Sequence, residues 1–307
     1  MDMETMKESR KEHYLKTESL LVQTRGMLRR SGLRARKGLG QHFLIDEDVL
    51  KFIGGAAELT SSDVVIEIGP GLGVLTRKLA EQAGWVVAIE LDKKLAAILK
   101  QTLVSYNNVT IINGDILEVS PVALFQEQFP SEAGCSFSYK VVANLPYYIT
   151  SPVLCHFLEA SVKPQIMVIM VQKEVAEAIV AKPGRMSLLS VSVQLYGEPT
   201  IVSYVPAECF YPAPEVDSAL LKVVLYSQPA LEVADRESFF QLVRAGFAAP
   251  RKQIANSLAK GLGLSKTEAL ALLAAVEILP QRRAETLTLE EWASLWRVSI
   301  RLGETTW

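Results

Sequence analysis

The sequence predicts an α/β protein, with a Rossmann-like and mostly parallel sheet followed by a small domain made only of helices. Short apolar runs rich in β-branched residues alternate with amphipathic segments from residue 46 to residue 171. Strands of this kind are typical of a parallel sheet covered by helices on both faces. A glycine-rich loop follows the first strand, and only helical patterns remain after residue 228. With 307 residues, the chain suits one large domain and one small domain.

The elements follow in order from the amino terminus. Residues 1–36 are interpreted as a polar and basic extension, and Asp46 is placed to cap a helix that runs to about residue 59. Two later runs, 200–205 and 219–226, have no long helix between them, so we expect them to pair antiparallel at one edge of the sheet. The alternating part predicts strands at 64–68, 85–90, 109–113, 140–143 and 165–171, and helices at 72–82 and 93–103.

The chain changes character near Pro229, where polar residues mark a domain boundary. We therefore expect an extension over 1–36, a sheet domain over 37–228 and a helical domain over 229–307. The helical patterns of the last domain cover 236–248, 252–261, 266–276 and 289–301.

The charge distribution indicates a local basic surface rather than a strongly basic protein. The formal net charge is -2, which argues against a protein that coats nucleic acid through bulk charge alone. Residues 19–45 contain no aspartate or glutamate. The basic residues in this stretch are Arg25, Arg29, Arg30, Arg34, Arg36 and Lys37. The stretch is either an arm that attracts phosphate or a solvated, poorly ordered terminus.

Cysteine and histidine usage predicts neither a disulfide framework nor a metal site. Cys135, Cys155 and Cys209 are far apart, no Cys-x-x-Cys pair occurs, and the histidines form no ligand cluster with them. No apolar run reaches the length of a membrane span, and the acidic residues near the amino terminus are unlike a signal peptide. We expect a protein of the cytoplasm that does not enter a membrane.

A glycine loop follows the first strand and opens a helix. Gly69, Gly71 and Gly73 let the backbone approach a ligand closely, and the helix amino terminus adds partial positive charge. Glu90 ends the next strand, and its carboxylate can accept hydrogen bonds from both hydroxyls of a ribose. This pair fits the adenosyl part of S-adenosylmethionine. A nicotinamide cofactor stays open, although the dinucleotide fingerprint would need a small residue where Val74 stands.

A second acidic residue stands at the end of a later strand. Asp115 follows Gly114 directly after the strand at 109–113. Ligands bind at the carboxyl ends of strands in open α/β sheets, so Asp115 is a candidate to accept a hydrogen bond from an adenine amino group. A Gly-Asp pair by itself would indicate only a turn.

The most specific signal is the tetrapeptide 144–147, Asn-Leu-Pro-Tyr, which follows the strand at 140–143. The exocyclic amine of adenine is a poor nucleophile, and a site can help it by accepting its N–H hydrogen bonds and aligning its nitrogen with a methyl donor. The Asn144 side-chain oxygen and the Leu145 carbonyl are suitable acceptors. Pro146 stiffens the turn, and Tyr147 offers a ring on which the target base can stack. An ordinary turn with a surface tyrosine is the alternative.

A target amine is inaccessible inside a stacked helix, so the base must be flipped out to reach such a site. A second aromatic side chain is then expected on the other face of the base. Phe210, in the segment 210–218, is the candidate for this role. The alternative is that Phe210 is a core aromatic residue at a loop.

Together these residues resemble one family, the ribosomal RNA adenine N6-dimethyltransferases, and within it the KsgA-like small-subunit branch. The resemblance covers roughly residues 37–302. It rests on 40–46, 67–73, Glu90, 114–115, 144–147 and 210–218, with Phe247, 251–252 and 283–285 in the helical part.

The resemblance implies a Rossmann-like S-adenosylmethionine methyltransferase sheet and a helical RNA-binding domain. It implies cofactor contacts from His42, Leu44, Gly69, Gly71, Glu90, Asp115 and Asn144. It also implies a target-base site formed by Asn144, Leu145, Pro146 and Tyr147, beside which Phe210 is our candidate for the second face. The implied substrate is two adjacent adenosines in a hairpin loop near the 3′ end of small-subunit (16S) ribosomal RNA. Each would receive two methyl groups, within a pre-assembled small subunit, during late ribosome biogenesis.

Basic residues are expected to supply the phosphate contacts to RNA, and the chain is expected to act as a monomer. The candidates are Arg34, Arg36, Lys37, Arg251 and Lys252. Pro250 is a departure, because the family usually has another basic residue just before the last two candidates.

Three other hypotheses stay open from the sequence. A large-subunit RNA or DNA adenine methylase would share the chemistry, although 216–218, Val-Asp-Ser, favours the small-subunit branch. A nicotinamide oxidoreductase is disfavoured by the glycine spacing. A ribosome-assembly factor that no longer methylates is disfavoured by the intact tetrapeptide 144–147 and Glu90.

Overall fold

A computed structural model describes residues 19–36, 40–128 and 138–303 of the chain. Lys37, Cys135 and the first 18 residues, which entered the sequence analysis, lie outside the described residues. The strands are β1 (Phe43–Leu44), β2 (Val64–Ile68), β3 (Trp85–Glu90), β4 (Val109–Asn113), β5 (Tyr139–Asn144), β6 (Ile166–Gln172), β7 (Gly197–Val205), β8 (Phe210–Tyr211) and β9 (Ser218–Leu225).

Helices connect and flank these strands. They are α1 (Leu20–Arg30), α2 (Glu47–Ala57), α3 (Val74–Ala80), α4 (Lys93–Thr102), α5 (Pro121–Gln128), α6 (Thr150–Leu158), α7 (Lys173–Ile179), α8 (Leu188–Tyr196), α9 (Arg236–Phe247), α10 (Ile254–Leu262), α11 (Lys266–Ala274) and α12 (Leu289–Gly303).

The central sheet has seven strands in the order β4-β3-β2-β5-β6-β9-β7. The five strands from β4 to β6 are parallel, whereas β9 runs antiparallel to both β6 and β7. The predicted Rossmann-like sheet and its antiparallel edge are therefore confirmed. The chain winds outward from β2 to β4 and returns with β5 beside β2, so the strand order reverses between β2 and β5. This is the position at which open α/β sheets form a ligand crevice.

Local sequence explains where the helices begin. The Asp46 carboxylate accepts hydrogen bonds from the backbone N–H groups of Asp48 and Val49, which confirms the predicted cap of α2. Asp92 caps α4 in the same way, and Ser265 forms a capping box with Glu268 at the start of α11. Strands β2, β3 and β4 have the predicted boundaries because their apolar runs are bounded by polar or glycine residues.

Within the extension predicted for residues 1–36, residues 20–30 form helix α1, so this part is ordered rather than a solvated terminus. Its basic residues are interrupted by apolar ones at helical spacing, and Thr24 and Leu28 are buried. Leu28 packs in a small core cluster with Phe43, Leu72 and Leu95. Helix α1 therefore lies against the elements that border the glycine loop.

The helices after β9 pack on the rest of the chain rather than standing apart. Phe239 and Trp292 belong to the same contiguous core as Ile169 and Leu221 of the sheet. Two backbone hydrogen bonds, from Gly184 and Met186 to the Glu285 carbonyl, join the loop before α8 to the loop before α12.

The packing around α9 gives a stability prediction with a matched control. A Cβ atom added to Gly246 in α9 would collide with the buried Trp292 ring, whereas one added to Gly55 in α2 would meet no described atom within 4 Å. We expect Gly246→Ala to lower the free energy of unfolding by about 1–3 kcal/mol. Gly55→Ala should raise it by roughly 0.5–1 kcal/mol, because alanine loses less backbone entropy in a helix. Urea unfolding measures the free energy of unfolding of both variants. Equal changes in the two variants would contradict the close packing of Gly246 on Trp292.

Candidate active site

A cavity of about 720 Å³ opens at the carboxyl ends of the parallel strands, at the strand-order reversal between β2 and β5. This volume is within the range of small-molecule sites. Its lining comes from five segments: 40–44, the glycine loop after β2, the end of β3, the turn after β4, and the turn after β5. Of the predicted site residues, His42, Leu44, Gly69, Gly71, Glu90, Asp115, Asn144 and Pro146 all line it.

Glu90 is held in one orientation by the backbone. Its Oε2 accepts a hydrogen bond from the N–H of Gly71 at 3.0 Å, and its Oε1 accepts one from the N–H of Asp92 at 2.8 Å. Burial raises the pKa of the Glu90 carboxyl, and these two backbone N–H donors oppose the rise. Each carboxylate oxygen keeps a further lone pair, so the two can receive two neighbouring hydroxyl groups of a ligand.

Glu67 is a second carboxyl group at this cavity. It is fully buried beneath the glycine loop, and its Oε2 has no hydrogen-bond partner among the described residues. Burial raises the pKa of Glu67 to about 8; the negative charge of Glu90 adds to the rise, while the Thr76 hydroxyl opposes it. In the sequence, Glu67 stands out only as the start of the glycine motif. The signal that could have identified its burial is its place inside the apolar strand β2, because strands of a covered parallel sheet are buried on both faces.

Asp115 lies at the predicted place, at the rim of the cavity beyond β4. Its Oδ1 accepts a hydrogen bond from the N–H of Leu117 at 2.9 Å, which leaves Oδ2 available to a ligand. Leu91 and Leu117, which follow β3 and Asp115 respectively, expose apolar side chains at the same rim. Apolar side chains beside a carboxylate suit a flat heteroaromatic ring with an amino group. Sequence reasoning missed both leucines, although each stands one or two residues after a predicted acidic residue.

The segment 40–44 forms one wall of the cavity. Asn144 Nδ2 donates a hydrogen bond to the His42 carbonyl at 2.9 Å, and the His42 ring donates from Nδ1 to the Pro212 carbonyl at 2.7 Å. The strand β1 in this segment pairs with β8. His42 therefore joins three segments that are distant in sequence: its own, the turn after β5, and the one after β8.

The hydrogen bond to His42 sets the orientation of the Asn144 side chain. Because Nδ2 donates to that carbonyl, Oδ1 is left as an acceptor, and it has no hydrogen-bond partner in the described parts of the chain. This matches the predicted role of Asn144 as an acceptor for an amine. The Leu145 side chain is buried in the core, so only its backbone is available for the predicted contact.

Tyr147 is half-buried and fixed at both ends. Its hydroxyl forms a hydrogen bond of 2.7 Å with Ser218 Oγ, and its ring lies nearly parallel to the His42 ring, with 6.0 Å between the centroids. Burial raises the pKa of the Tyr147 phenol, so it stays neutral at physiological pH. Tyr147 does not itself line the cavity, so its predicted role as a platform for the target base stays a prediction.

The prediction that Phe210 covers the other face of a target base does not match its position. Phe210 is only 3 % exposed, lies in strand β8 opposite Leu44, and packs with Cys209 and Leu220 in the core. It does not line the cavity. The alternative of a core aromatic residue describes it, because the pairing of β8 with β1 directs its side chain inward.

The predicted phosphate contacts lie in two places. Arg34 and Arg36 are exposed; Arg36 lines the cavity, and its Nη1 lies 3.5 Å from Asp92 Oδ2. Arg251 and Lys252 are exposed in the turn between α9 and α10. Arg36 thus already has an acidic neighbour, which the sequence analysis did not foresee because Asp92 is distant in sequence.

No group of three or more histidine, cysteine and acidic side chains among the described residues is arranged to hold a metal ion. Within the described ranges, none of the helices has both the length and the apolar character that crossing a bilayer requires.

Residues 32–298 match the family model described as ribosomal RNA adenine dimethylase. The chain belongs to this family. Among curated relatives of the ribosomal RNA adenine dimethylases, the protein named ribosomal RNA small subunit methyltransferase A from Dehalococcoides mccartyi is 52% identical, over 91% of this chain and 93% of its own length. The protein of the same name from Moorella thermoacetica is 45% identical, over 89% of this chain and 96% of its own length.

Two solved structures of similar proteins agree with the fold of this dimethylase family. A dimethyladenosine transferase from Plasmodium falciparum has 25% sequence identity and a TM-score of 0.70, covering 85% of this chain and 98% of its own. The 23S rRNA methyltransferase ErmE has 28% identity and a TM-score of 0.64, covering 83% of this chain and 98% of its own. The prediction of a methyltransferase of the adenine dimethylase family is confirmed.

Proposed function

We propose that this enzyme transfers methyl groups from S-adenosylmethionine to N6 of two adjacent adenosines in a hairpin loop near the 3′ end of small-subunit ribosomal RNA. Each adenosine would become N6,N6-dimethyladenosine. The enzyme would act in the cytoplasm as a monomer on a pre-assembled subunit. The observation that carries this proposal is that Asn144, in its acceptor orientation, opens into the same cavity as Glu90 and Asp115.

The residues of the cavity fit the cofactor. Glu90 is preset to receive the two ribose hydroxyls, and Asp115 to receive the adenine amino group between Leu91 and Leu117. The unpartnered Glu67 carboxyl lies at the deep side of the cavity, where a positively charged ligand would compensate its burial. When bound, the cofactor supplies an electrophilic methyl group on a sulfonium.

The chain's own residues then orient the amine. Asn144 Oδ1 and the Leu145 carbonyl accept hydrogen bonds from the N6 hydrogens, which directs the nitrogen lone pair at the methyl carbon. The methyl group that the cofactor would supply replaces one N6 hydrogen at each transfer, and the displaced proton would pass to solvent water. Tyr147 supports the base from one face. Because no strong base is required, most of the rate enhancement comes from positioning.

The substrate branch is supported by relatives rather than by geometry. The two curated relatives above carry the name of a small-subunit enzyme at 45–52% identity, whereas the 23S rRNA methyltransferase is 28% identical. Residues 216–218, which favoured the small-subunit branch in the sequence, lead into β9, and Ser218, the first residue of that strand, forms a hydrogen bond with the Tyr147 hydroxyl.

Methylation of matched substrates tests the function. The purified protein is incubated with labelled S-adenosylmethionine and under-methylated small subunits, with large subunits and DNA in parallel, and the modified nucleosides are identified. We expect N6,N6-dimethyladenosine only in small-subunit RNA. Label in large-subunit RNA or DNA would overturn the substrate branch. Cofactor binding without label would point to an assembly factor.

RNA binding is expected to depend on salt, because the helical part over 229–307 and the basic residues near the cavity are proposed to contact phosphates. Changing both Arg251 and Lys252 to Gln should reduce the slope of log affinity against log salt by about one to two. Titrations of RNA between low and physiological salt measure this slope. Lys51→Gln with Lys78→Gln, which removes two exposed charges that pair with acidic neighbours, is the matched control. Flat wild-type affinity across these salts would refute phosphate contacts.

A further inference from the structure

The turn after β5 carries two consecutive tyrosines in different surroundings. Tyr147 is half-buried and fixed by Ser218 and His42, as described above. Tyr148, the next residue, is 59 % exposed and lines the cavity. The structure thus places one fixed ring and one accessible ring on the same short 3-10 turn, at the mouth of the proposed active site.

Few exposed apolar side chains line this mouth. Several described residues expose a large apolar side chain. Of these, only Leu91, Leu117 and Tyr148 line the cavity. The two leucines flank Glu90 and Asp115, at the end assigned to the cofactor adenine. Tyr148 follows the tetrapeptide that is proposed to receive the target base, and it is the exposed aromatic side chain among the described residues that line the cavity.

The exposed Tyr148 ring keeps apolar surface in contact with water, and a ligand that covers the ring would remove that surface from water. Aromatic rings that line single-stranded nucleic acid sites serve as stacking platforms for successive bases. Tyr147 and Tyr148 are consecutive in a 3-10 turn, which has about three residues per turn, so their side chains point in different directions. The Tyr147 ring faces Ser218 and His42, whereas the exposed Tyr148 ring is open to a second nucleotide outside the site.

We propose that Tyr148 is a binding residue for the adenosine next to the one being methylated, and that it stacks on this second base while it waits outside the site. This inference rests on the proposed function and adds a second nucleotide subsite to it. In this proposal the enzyme selects two adjacent adenosines partly because two adjacent aromatic side chains each contact one of them.

The test follows methylation at each adenosine separately. Under-methylated small subunits are treated with wild-type protein, Tyr148→Ala, Tyr148→Phe or Tyr226→Ala, and mass spectrometry counts the methyl groups on each of the two adenosines over time. Tyr226 is an exposed tyrosine just after β9 that does not line the cavity, so its variant is the matched control. Cofactor affinity is measured for every protein by calorimetry.

We expect Tyr148→Ala to slow dimethylation of one adenosine about tenfold relative to the other, from the loss of one stacking contact. Tyr148→Phe should behave as wild type, because the ring is retained, and the cofactor Kd should be unchanged in both. A second readout is binding of a short RNA loop with 2-aminopurine next to the target adenosine. Its fluorescence should be quenched by wild type and Tyr148→Phe, and much less by Tyr148→Ala.

Three outcomes would overturn the inference. One is an unchanged ratio between the two adenosines together with full quenching by Tyr148→Ala. Another is an equal loss at both adenosines with weakened cofactor binding, which would make Tyr148 a cover for the cofactor. A wild-type protein that forms no dimethyladenosine would instead remove the proposed function, and the inference with it.

Discussion

Asn144→Ala is expected to reduce methyl transfer by at least about a hundredfold while leaving cofactor binding largely in place. The alanine removes the acceptor Oδ1 and the hydrogen bond to the His42 carbonyl, so the amine is no longer aligned. Glu90 and Asp115 remain, so we expect the cofactor Kd to rise less than tenfold. Single-turnover methylation and calorimetry measure the two effects separately.

The control for this variant is Asn256→Ala, which removes an exposed asparagine on α10. It should leave both the rate and the cofactor Kd unchanged. Wild-type turnover by Asn144→Ala would remove the assignment of the tetrapeptide as the reaction site.

Glu67→Gln is expected to stabilise the cofactor-free protein increasingly as the pH rises. The ordinary pKa of a glutamate is 4.5, and that of Glu67 in the folded chain is raised to about 8. Between these values the unfolded chain releases a proton that the folded chain retains, so the free energy of unfolding of the wild type falls with pH. Glutamine has no such proton, and its advantage should reach the order of several kcal/mol near pH 8.

Denaturant unfolding of the cofactor-free proteins at pH values from 5 to 8 measures this difference. Glu58→Gln is a control of opposite sign, because the hydrogen bond with Lys222 lowers the pKa of the exposed Glu58 carboxyl. That contribution is present above the ordinary pKa and is lost as the pH falls, so Glu58→Gln should lose stability at neutral pH. A constant difference between wild type and Glu67→Gln across the range would show that Glu67 is ionised in the folded chain.

The parts of the fold that could be predicted are those with a strong local signal. Strands β2, β3 and β4 are short apolar runs with clear boundaries, and α2 begins at Asp46 as expected. Helices α5, α6, α7 and α8 were not predicted. Helices α6 and α8 are mostly apolar, and an apolar run does not distinguish a strand from a buried helix. Helices α5 and α7 have only eight and seven residues, which is too short for a clear helical period.

The site was predicted where strand ends carry characteristic residues, and missed where distant segments meet. Glu90, Asp115 and Asn144 follow strands, and the parallel sheet brings them to one edge. The pairing of β1 with β8 is a long-range contact between strands of two residues each. Strands this short show no alternation of apolar and polar residues from which the pairing could be predicted. That pairing decides the burial of Phe210, so its position could not be inferred from the segment 210–218 alone.

The sheet and the last four helices share one hydrophobic core, and this limits which substrates can contact both parts at once. Because Phe239 and Trp292 pack in one continuous core with the sheet, the turn that carries Arg251 and Lys252 belongs to a part of the chain that is packed on the sheet bearing the cavity. If these two residues bind phosphates as proposed, a substrate would have to present its phosphates and its adenosines in a matching arrangement, which a folded ribosomal surface can do and a loose strand does only at an entropic cost. The enzyme would then select its RNA substrate by the three-dimensional arrangement of phosphates and adenosines rather than by base sequence.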